Sequence, residues 1–406
     1  MGLGPVLTMA LSVLPHPAPL TTATPRQWLS VTIAAQDPAT VCPLALSQEA
    51  SRERIFPPVA SAVIGTLVHA IIEHATRHGV TDIGDPAEAL ANRCNAWDSD
   101  PDGGLRWPQL VPLRRYAVDE RRRDALATIA VGIGHSSGVQ AASPRAGQAS
   151  GARPEPDPRK VGRWAEYPIN DEHLGLRGCM DLLVADGAGG LLVIDYKTGF
   201  DQDAEDQQGK RAIYHQQVQI YLLMLRRIHP GASLSGLLIG SHGMDPVPWG
   251  DALAAQTGDH LGRFRDALAG ADAGRTSPSE SACMFCPIRH LCPAFRPWVE
   301  RMRNESGPGF LAGNVWGTVQ QPPRLGGHQA SMTIRDATGA VVVINGLALR
   351  DGYQDLVQGM PVSIYGLKPE RDPEGGIRPY RLWERRSSGR TLCASVVVMS
   401  GHPQLT

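Results

Sequence analysis

The chain has 406 residues, 42% of them hydrophobic and 19% charged, and its 39 basic and 40 acidic side chains leave a formal net charge of -1. That balance excludes a whole-surface basic field of the kind that binds nucleic acid indiscriminately, although a local basic groove suffices for phosphate contacts. The length has room for two or three domains. The seven cysteines, odd in number and with three of them within residues 283–292, exclude a secreted disulfide framework and point to a reducing, cytoplasmic setting with a metal site.

Residues 1–27, rich in Pro, Thr and Ala, are expected to form a poorly ordered tail. The apolar patch from Leu7 to Leu14 lacks a basic stretch before it and is flanked by Pro5 and Pro15, so it does not read as a signal peptide. No stretch is long enough to span a membrane. From Val59 to Arg77 the apolar positions Val63, Leu67, Ala70, Ile71 and Ala75 recur at helical steps, with His69 and Glu73 one turn apart on one face. Residues 80–132 read as interrupted helix carrying Arg114, Arg115 and Arg121 to Arg123, and residues 134–160 as a flexible insertion without core residues. A strand is expected over Trp164 to Ile169. It leads into the run Gly178 to Val184 containing Asp181, the glycine-rich turn Ala185 to Gly190, and the run Leu191 to Lys197.

A hairpin of that kind brings Asp181 close to Asp195, while Lys197, two residues past Asp195, points to the same face. Two carboxylates converging in one site repel unless a cation lies between them, and hard oxygen donors favour Mg²⁺ or Mn²⁺. A lysine beside them can activate water or steady charge on a phosphate, although a structural ion pair explains Asp195 and Lys197 equally well in isolation. A helix follows from Tyr214 to Ile228 with Gln217 and Tyr221 on one face, then a strand over Leu237 to Ser241 and a helix over Asp251 to Leu268. This alternation fits a central mixed sheet flanked by helices. Cys283, Cys286 and Cys292 form a C-x₂-C-x₅-C cluster one ligand short of a closed site. His290 would complete a zinc site, and Cys42 would complete four-cysteine ligation of an iron–sulphur cluster.

These motifs, in this order, resemble the PD-(D/E)XK nuclease superfamily in its RecB-like exonuclease branch: Gly65-x₃-His69-x₃-Glu73, Asp181, Asp195-x-Lys197 and Gln217-x₃-Tyr221. The resemblance covers roughly residues 28–297 and implies a restriction-endonuclease-like α/β core. It further implies His69, Asp181, Asp195 and the Tyr196 carbonyl as ligands of Mg²⁺ or Mn²⁺, Lys197 as the catalytic lysine, and Gln217 and Tyr221 as residues that orient it and the DNA strand. The glutamate often found on the preceding strand of that branch corresponds to Glu166. One cysteine before the histidine motif and three after the Gln-x₃-Tyr helix match the iron–sulphur subset, seen in CRISPR-associated RecB-like exonucleases and AddB-type helicase–nuclease subunits. For Cys42, Cys283, Cys286 and Cys292 this implies a 4Fe–4S staple. The implied substrate is DNA, with single-stranded ends favoured, in repair, recombination or antiviral defence. The alternative is a DNA-binding accessory subunit working with a helicase or defence-complex partner, since no P-loop motor is present.

Residues 28–300 are thus expected as the nuclease domain and 310–406 as a second domain. The latter's short strands over Asn314 to Val319, Ala330 to Arg335, Val341 to Asn345, Pro361 to Leu367 and Tyr380 to Trp383 suggest a small OB-like β-barrel. Trp316 and Tyr365, with Lys368 and Arg381, are the candidates for stacking on and neutralising a single strand; the competing reading makes the aromatics core and the basic residues solvated.

Overall fold

Two short strands, β1 (Leu14–Pro15) and β2 (Leu29–Ser30), precede a one-turn helix α1 (Val31–Ala34), which Ser30 caps by accepting the Ile33 N–H. The computed structural model describes residues 14–15, 28–38, 41–46, 60–80, 82–104, 113, 125–132, 156–198, 208–240, 243–269, 278–279, 283, 286, 288–306, 314–326, 329–336, 339, 341–348, 356–365, 368–371, 377–381, 383–385, 391–393 and 397–400. Most of the expected tail and nearly all of the expected insertion lie outside these residues. Leu14 and Pro15, however, pair in parallel with Met399 and Ser400, an attachment that the composition of the tail does not announce.

The expected long helix forms as α2 (Ala60–His78), followed by α3 (Pro86–Asp98), which starts at an Asp85 cap with proline in its first turn. The chemistry-bearing hairpin belongs to an antiparallel meander of β3 (Val161–Asp171), β4 (Leu176–Asp186) and β5 (Gly190–Lys197). Its turn is made by Gly187 and Gly189 at φ 78° and 101°, while Asp186 Oδ1 accepts the Ala188 and Gly190 N–H groups. Helix α4 (Gln208–Ile228) crosses back so that β6 (Ser233–Gly240) pairs in parallel with β5, and β7 (Gly243–Val247) closes the edge antiparallel to β6. The mixed sheet runs β2-β4-β5-β6-β7, with β3 on the other edge of β4.

Both faces of β5 are buried, which is why its sequence is a continuous apolar run rather than an alternation. On one face Leu183, Leu191, Val193 and Leu238 pack with Val218, Leu222 and Leu225 of α4 and with Phe264 of α5 (Asp251–Ala269). On the other, Leu182, Ile194, Tyr196 and Ile239 pack with Val68, Ile71, Ile72 and Ala75 of α2. Helix α4 seats closely because Gly236 leaves room for it: a methyl group there would lie 2.6 Å from Val218 Cγ1.

Helix α6 (Phe295–Ser306) leads into the C-terminal strands. Strands β8 (Val315–Gly326), β9 (Gln329–Asp336), β10 (Val341–Ala348), β11 (Pro361–Tyr365), β12 (Lys368–Arg371), β13 (Ile377–Arg381) and β16 (Val397–Ser400) join β1 in an eight-stranded path of order β1-β16-β11-β8-β9-β10-β13-β12. Strands β14 (Trp383–Arg385) and β15 (Thr391–Cys393) form a separate pair. The expected strands are present, but among the described residues no pairing joins the ends of the path, so an OB-like closed barrel is not what they form.

Gly236→Ala is expected to destabilise the protein by about 1–3 kcal/mol through overpacking against Val218. A urea midpoint shifted downward at constant slope is the expected readout; an unshifted midpoint would show that α4 is seated loosely.

Candidate active site

The β4–β5 ladder ends at Leu182↔Ile194, which leaves Asp181 and Asp195 one step beyond it, at the same end of the hairpin. Asp181 Oδ2 accepts the Tyr196 N–H at 2.7 Å. His69, delivered by α2 from the opposite layer, places Nδ1 3.3 Å from Asp181 Oδ1 and donates from Nε2 to the Tyr196 carbonyl at 2.9 Å. Helix α2 comes this close because Gly65 lies one turn before His69; a methyl group on Gly65 would meet Thr198 Oγ1 at 3.1 Å. Lys197 Nζ lies 2.7 Å from Asp195 Oδ2, donates to Gln217 Oε1 at 3.2 Å and stands 5.0 Å from the centre of the Tyr214 ring. Gln217 Nε2 donates in turn to Asp195 Oδ1 at 3.3 Å. Tyr221 donates to the Cys179 carbonyl at 2.8 Å, with its ring resting on Gly178, where a methyl group would lie 2.5 Å away. All five predicted catalytic positions therefore meet at one end of the sheet.

Glu73 does not join His69; its carboxylate pairs with Arg77 at 2.5 Å. Besides Asp181, the acidic residue near His69 is Glu166, which sits at φ 49°, an uncommon left-handed backbone for a residue with a side chain. His69, Glu166 and Asp181 offer ligand atoms that all lie within 4.8 Å of one another, a group able to hold a metal ion.

The charges divide unevenly. Burial would lower the His69 pKa, but the Asp181 carboxylate more than reverses this and raises it to about 9. Burial raises Asp181, yet His69, Lys197 and the Tyr196 N–H together hold it below the usual carboxylate range. Asp195 is pushed up to about 6 by burial and by the Asp181 charge, against the pull of Lys197. Burial opposes charge on Lys197, but Asp195 and Asp181 win and raise it. Burial raises Glu166 as well. The His69 imidazolium thus touches a carboxylate and a carbonyl, both expected metal ligands, and stands in for a cation at that spot. Asp195 Oδ2 is buried without a hydrogen bond of its own, and it faces the Lys197 ammonium. These features fit a divalent ion.

Cys42, Cys283, Cys286 and Cys292 line one pocket together with Leu44, Pro278, Arg289 and Phe295. None of the four is in a disulfide. Burial, then the neighbouring thiols, push Cys286 up to about 12 and Cys292 to about 11. Four soft donors gathered this closely fit a metal centre between them. His290, the alternative fourth ligand, is buried outside that lining.

Trp316 and Tyr365 do not offer a stacking surface. They are 6% and 1% exposed and pack edge-on against each other, beside Phe295 and Trp298 of α6. Large aromatics are favoured where α6 meets the C-terminal sheet because they bury the most area there. Lys368 and Arg381 lie on β12 and β13, and their side chains fall outside the described residues.

Three features escaped the sequence. Cys179 is exposed and donates to Glu166 Oε2 at 3.2 Å. Tyr214 faces Lys197. Arg211 and His215 of α4 converge on buried Asp245 of β7. Only the last left a sequence signal, a basic pair at i and i+4.

The family pattern of the PD-(D/E)XK nuclease superfamily matches residues 42–293. No curated protein matches the chain. A solved structure titled "Crystal structure of SSO0001" aligns at 18% identity over 32% of this chain and 61% of that one, with a TM-score of 0.21. The matched pattern runs over more than half of the chain, from Cys42 through every motif at the strand ends, and the chain belongs to the PD-(D/E)XK nuclease superfamily.

Proposed function

We propose that the chain is a divalent-metal-dependent DNA exonuclease of the RecB-like type, acting on single-stranded ends and stapled by an iron–sulphur cluster. Members of the superfamily are typically metal-dependent nucleases with DNA as substrate. The observation that carries the reading is the convergence of Asp181, Asp195, Lys197 and His69 at one strand end. An accessory subunit with a decayed site would have no reason to keep two buried carboxylates together.

His69, Asp181 and Glu166 supply donor atoms, with Asp195 and the Tyr196 carbonyl beside them. When bound there, Mg²⁺ or Mn²⁺ supplies Lewis acidity toward a phosphoryl oxygen and makes water a stronger acid. Lys197 holds its proton at Nζ, and so stabilises the negative charge that builds on the phosphate. Gln217 orients that ammonium through Oε1 while gripping Asp195 through Nε2. Tyr221 stays protonated, since burial raises it, and fixes the helix against the Cys179 carbonyl.

The RecB-like assignment is supported by the four ordered motifs, and the cluster by Cys42 joining a C-x₂-C-x₅-C group in one pocket. Thiolate ligation suits both zinc and iron–sulphur centres, and the motif order favours the latter.

Cleavage of end-labelled single- and double-stranded DNA with Mn²⁺, Mg²⁺ or EDTA tests the activity. Lys197→Ala is expected to lower cleavage by about 10²-fold or more while leaving DNA binding nearly unchanged. Metal-independent cutting, or cutting unchanged in the variant, would remove the assignment.

Metal binding is expected to depend on pH with a definite sign. His69 titrates near 9, above its ordinary 6.5, so the His69–Asp181 contact stabilises the metal-free protein fully below about pH 6.5 and is lost as pH rises through 9. An ion that takes His69 must displace that proton. Calorimetric Mn²⁺ affinity is therefore expected to rise about tenfold per pH unit up to roughly pH 9. A flat profile between pH 7 and 8 would separate His69 from the metal.

Cys42→Ser is expected to lose the bound metal on elemental analysis of anaerobically purified protein, whereas His290→Gln keeps it. Iron with inorganic sulphide supports the cluster. Zinc alone would replace it with a zinc staple.

A further inference from the structure

We propose that Asp245 is a positioning residue for the active site: through Arg211 and His215 it fixes α4 so that Gln217 reaches Asp195 and Lys197 at once. The inference rests on the nuclease reading for what is being positioned, and on the sheet register for how.

Asp195 of β5 is in register with Leu238 of β6, and Leu238 with Asp245 of β7. Residues in register across neighbouring strands project from the same face, so one row carries a carboxylate at each end with a leucine between them. Two strand spacings separate the ends, roughly 10 Å. Helix α4 lies across this row and holds both ends. At one, Gln217 donates to Asp195. At the other, Arg211 binds Asp245 with two parallel hydrogen bonds, from Nε at 2.8 Å and Nη2 at 2.6 Å, and His215 Nε2 lies 2.7 Å from Asp245 Oδ2.

Asp245 is only 4% exposed, and the paired charges hold its pKa down despite burial, so it remains an anion for both partners. Arg211 and His215 are one turn apart on α4, and Gln217 follows within the next turn. Apolar packing of Val218, Leu222 and Leu225 seats the helix without setting direction, whereas polar contacts at both ends of the row fix its rotation and register. The fork of Arg211 on a carboxylate also fixes direction as well as distance. Gln217 needs this precision, because its amide must meet an acceptor and a donor on different residues of β5, with hydrogen bonds already at 3.2 and 3.3 Å.

The test is a double-mutant cycle of Asp245→Asn and Gln217→Ala in the full chain, read on Mn²⁺-dependent cleavage and on calorimetric Mn²⁺ affinity, with melting curves as the folding control. Asp245→Asn is expected to lower kcat about tenfold with KM for DNA nearly unchanged, and to lower it no more than about twofold further when Gln217 is already alanine. If Asp245→Asn does not fold, Arg211→Met, which leaves the His215 contact in place, carries the same cycle. An equal loss in both backgrounds, or no loss in either, overturns the proposal, since a purely structural aspartate acts independently of Gln217. If the wild type does not cut DNA, the nuclease reading fails, and Mn²⁺ affinity decides the inference: weakening that requires Gln217 upholds it, and weakening independent of Gln217, or none, ends it.

Discussion

A buried and a half-buried carboxylate at the end of one hairpin cannot both carry charge unless cations are brought to them, and this need organises the sheet and its two helical layers. Asp181 and Asp195 lie one step past the last paired residues of β4 and β5. One cation, Lys197, comes from the same strand. The other, His69, has to be delivered by a helix on the opposite face of the sheet. Because Asp181 takes the imidazolium and a backbone N–H, it ionises easily; at Asp195 burial and its neighbour's charge outweigh the pull of Lys197, and it rises to about 6. Such a split in acidity between two carboxylates is what environment alone can impose on identical groups. It makes Asp181 the stronger anchor for a cation and Asp195 the group most dependent on its surroundings.

That dependence explains the load placed on α4. The helix supplies much of the core on its face of the sheet, through Val218, Leu222 and Leu225, and also the amide that binds Asp195 to Lys197. Packing and chemistry are therefore coupled along one element. The glycines beneath it are part of the same arrangement: Gly236 lets Val218 descend onto β6, and Gly178 lets the Tyr221 ring reach the Cys179 carbonyl. On β3, the left-handed backbone of Glu166 stores strain of roughly 1–3 kcal/mol, a cost expected where a side chain is aimed at a site rather than at best packing.

What was legible in the sequence was whatever is local or periodic. The hairpin, its glycine turn, the pairing of Asp195 with Lys197 and the faces of α2 and α4 all follow from spacings of two, three or four residues, and each is where those spacings put it. Cys42 joined its distant partners only because a motif order, not a spacing, connected them. The rest depended on tertiary register. Nothing adjacent to Asp245 in sequence indicates that it shares a row with Asp195. Trp316 and Tyr365 look alike whether they stack on a base or on Phe295, since aromatic side chains serve either purpose; burial decided between them. Closure of the expected β-barrel is not seen among the described residues, and the sequence could not have decided it. Short strands with turns fix strand count and local pairing, but closure depends on which end strands meet, and that is not written in any local pattern.

The cysteine pocket depends on residues that are distant in sequence. It joins residue 42 to residues 283–292 across the whole length of the sheet domain, and Cys283 and Cys292 also pack beside Phe295, Trp298, Trp316 and Tyr365, where α6 meets the C-terminal strands. Closing a loop of that length costs roughly 5 kcal/mol of chain entropy, which a few apolar contacts around Leu44, Ile288 and Leu291 offset only in part. Burial, and then the neighbouring thiols, push Cys286 and Cys292 up, so a thiolate at either position needs a cation beside it. The proposed cluster would supply that cation, with the four cysteines as its ligands. It would hold Cys42, residues 283–292 and the aromatic residues packed beside Cys283 and Cys292 in one place. A metal bound there would couple its own affinity to the pairing of these two distant segments, so its removal would loosen both.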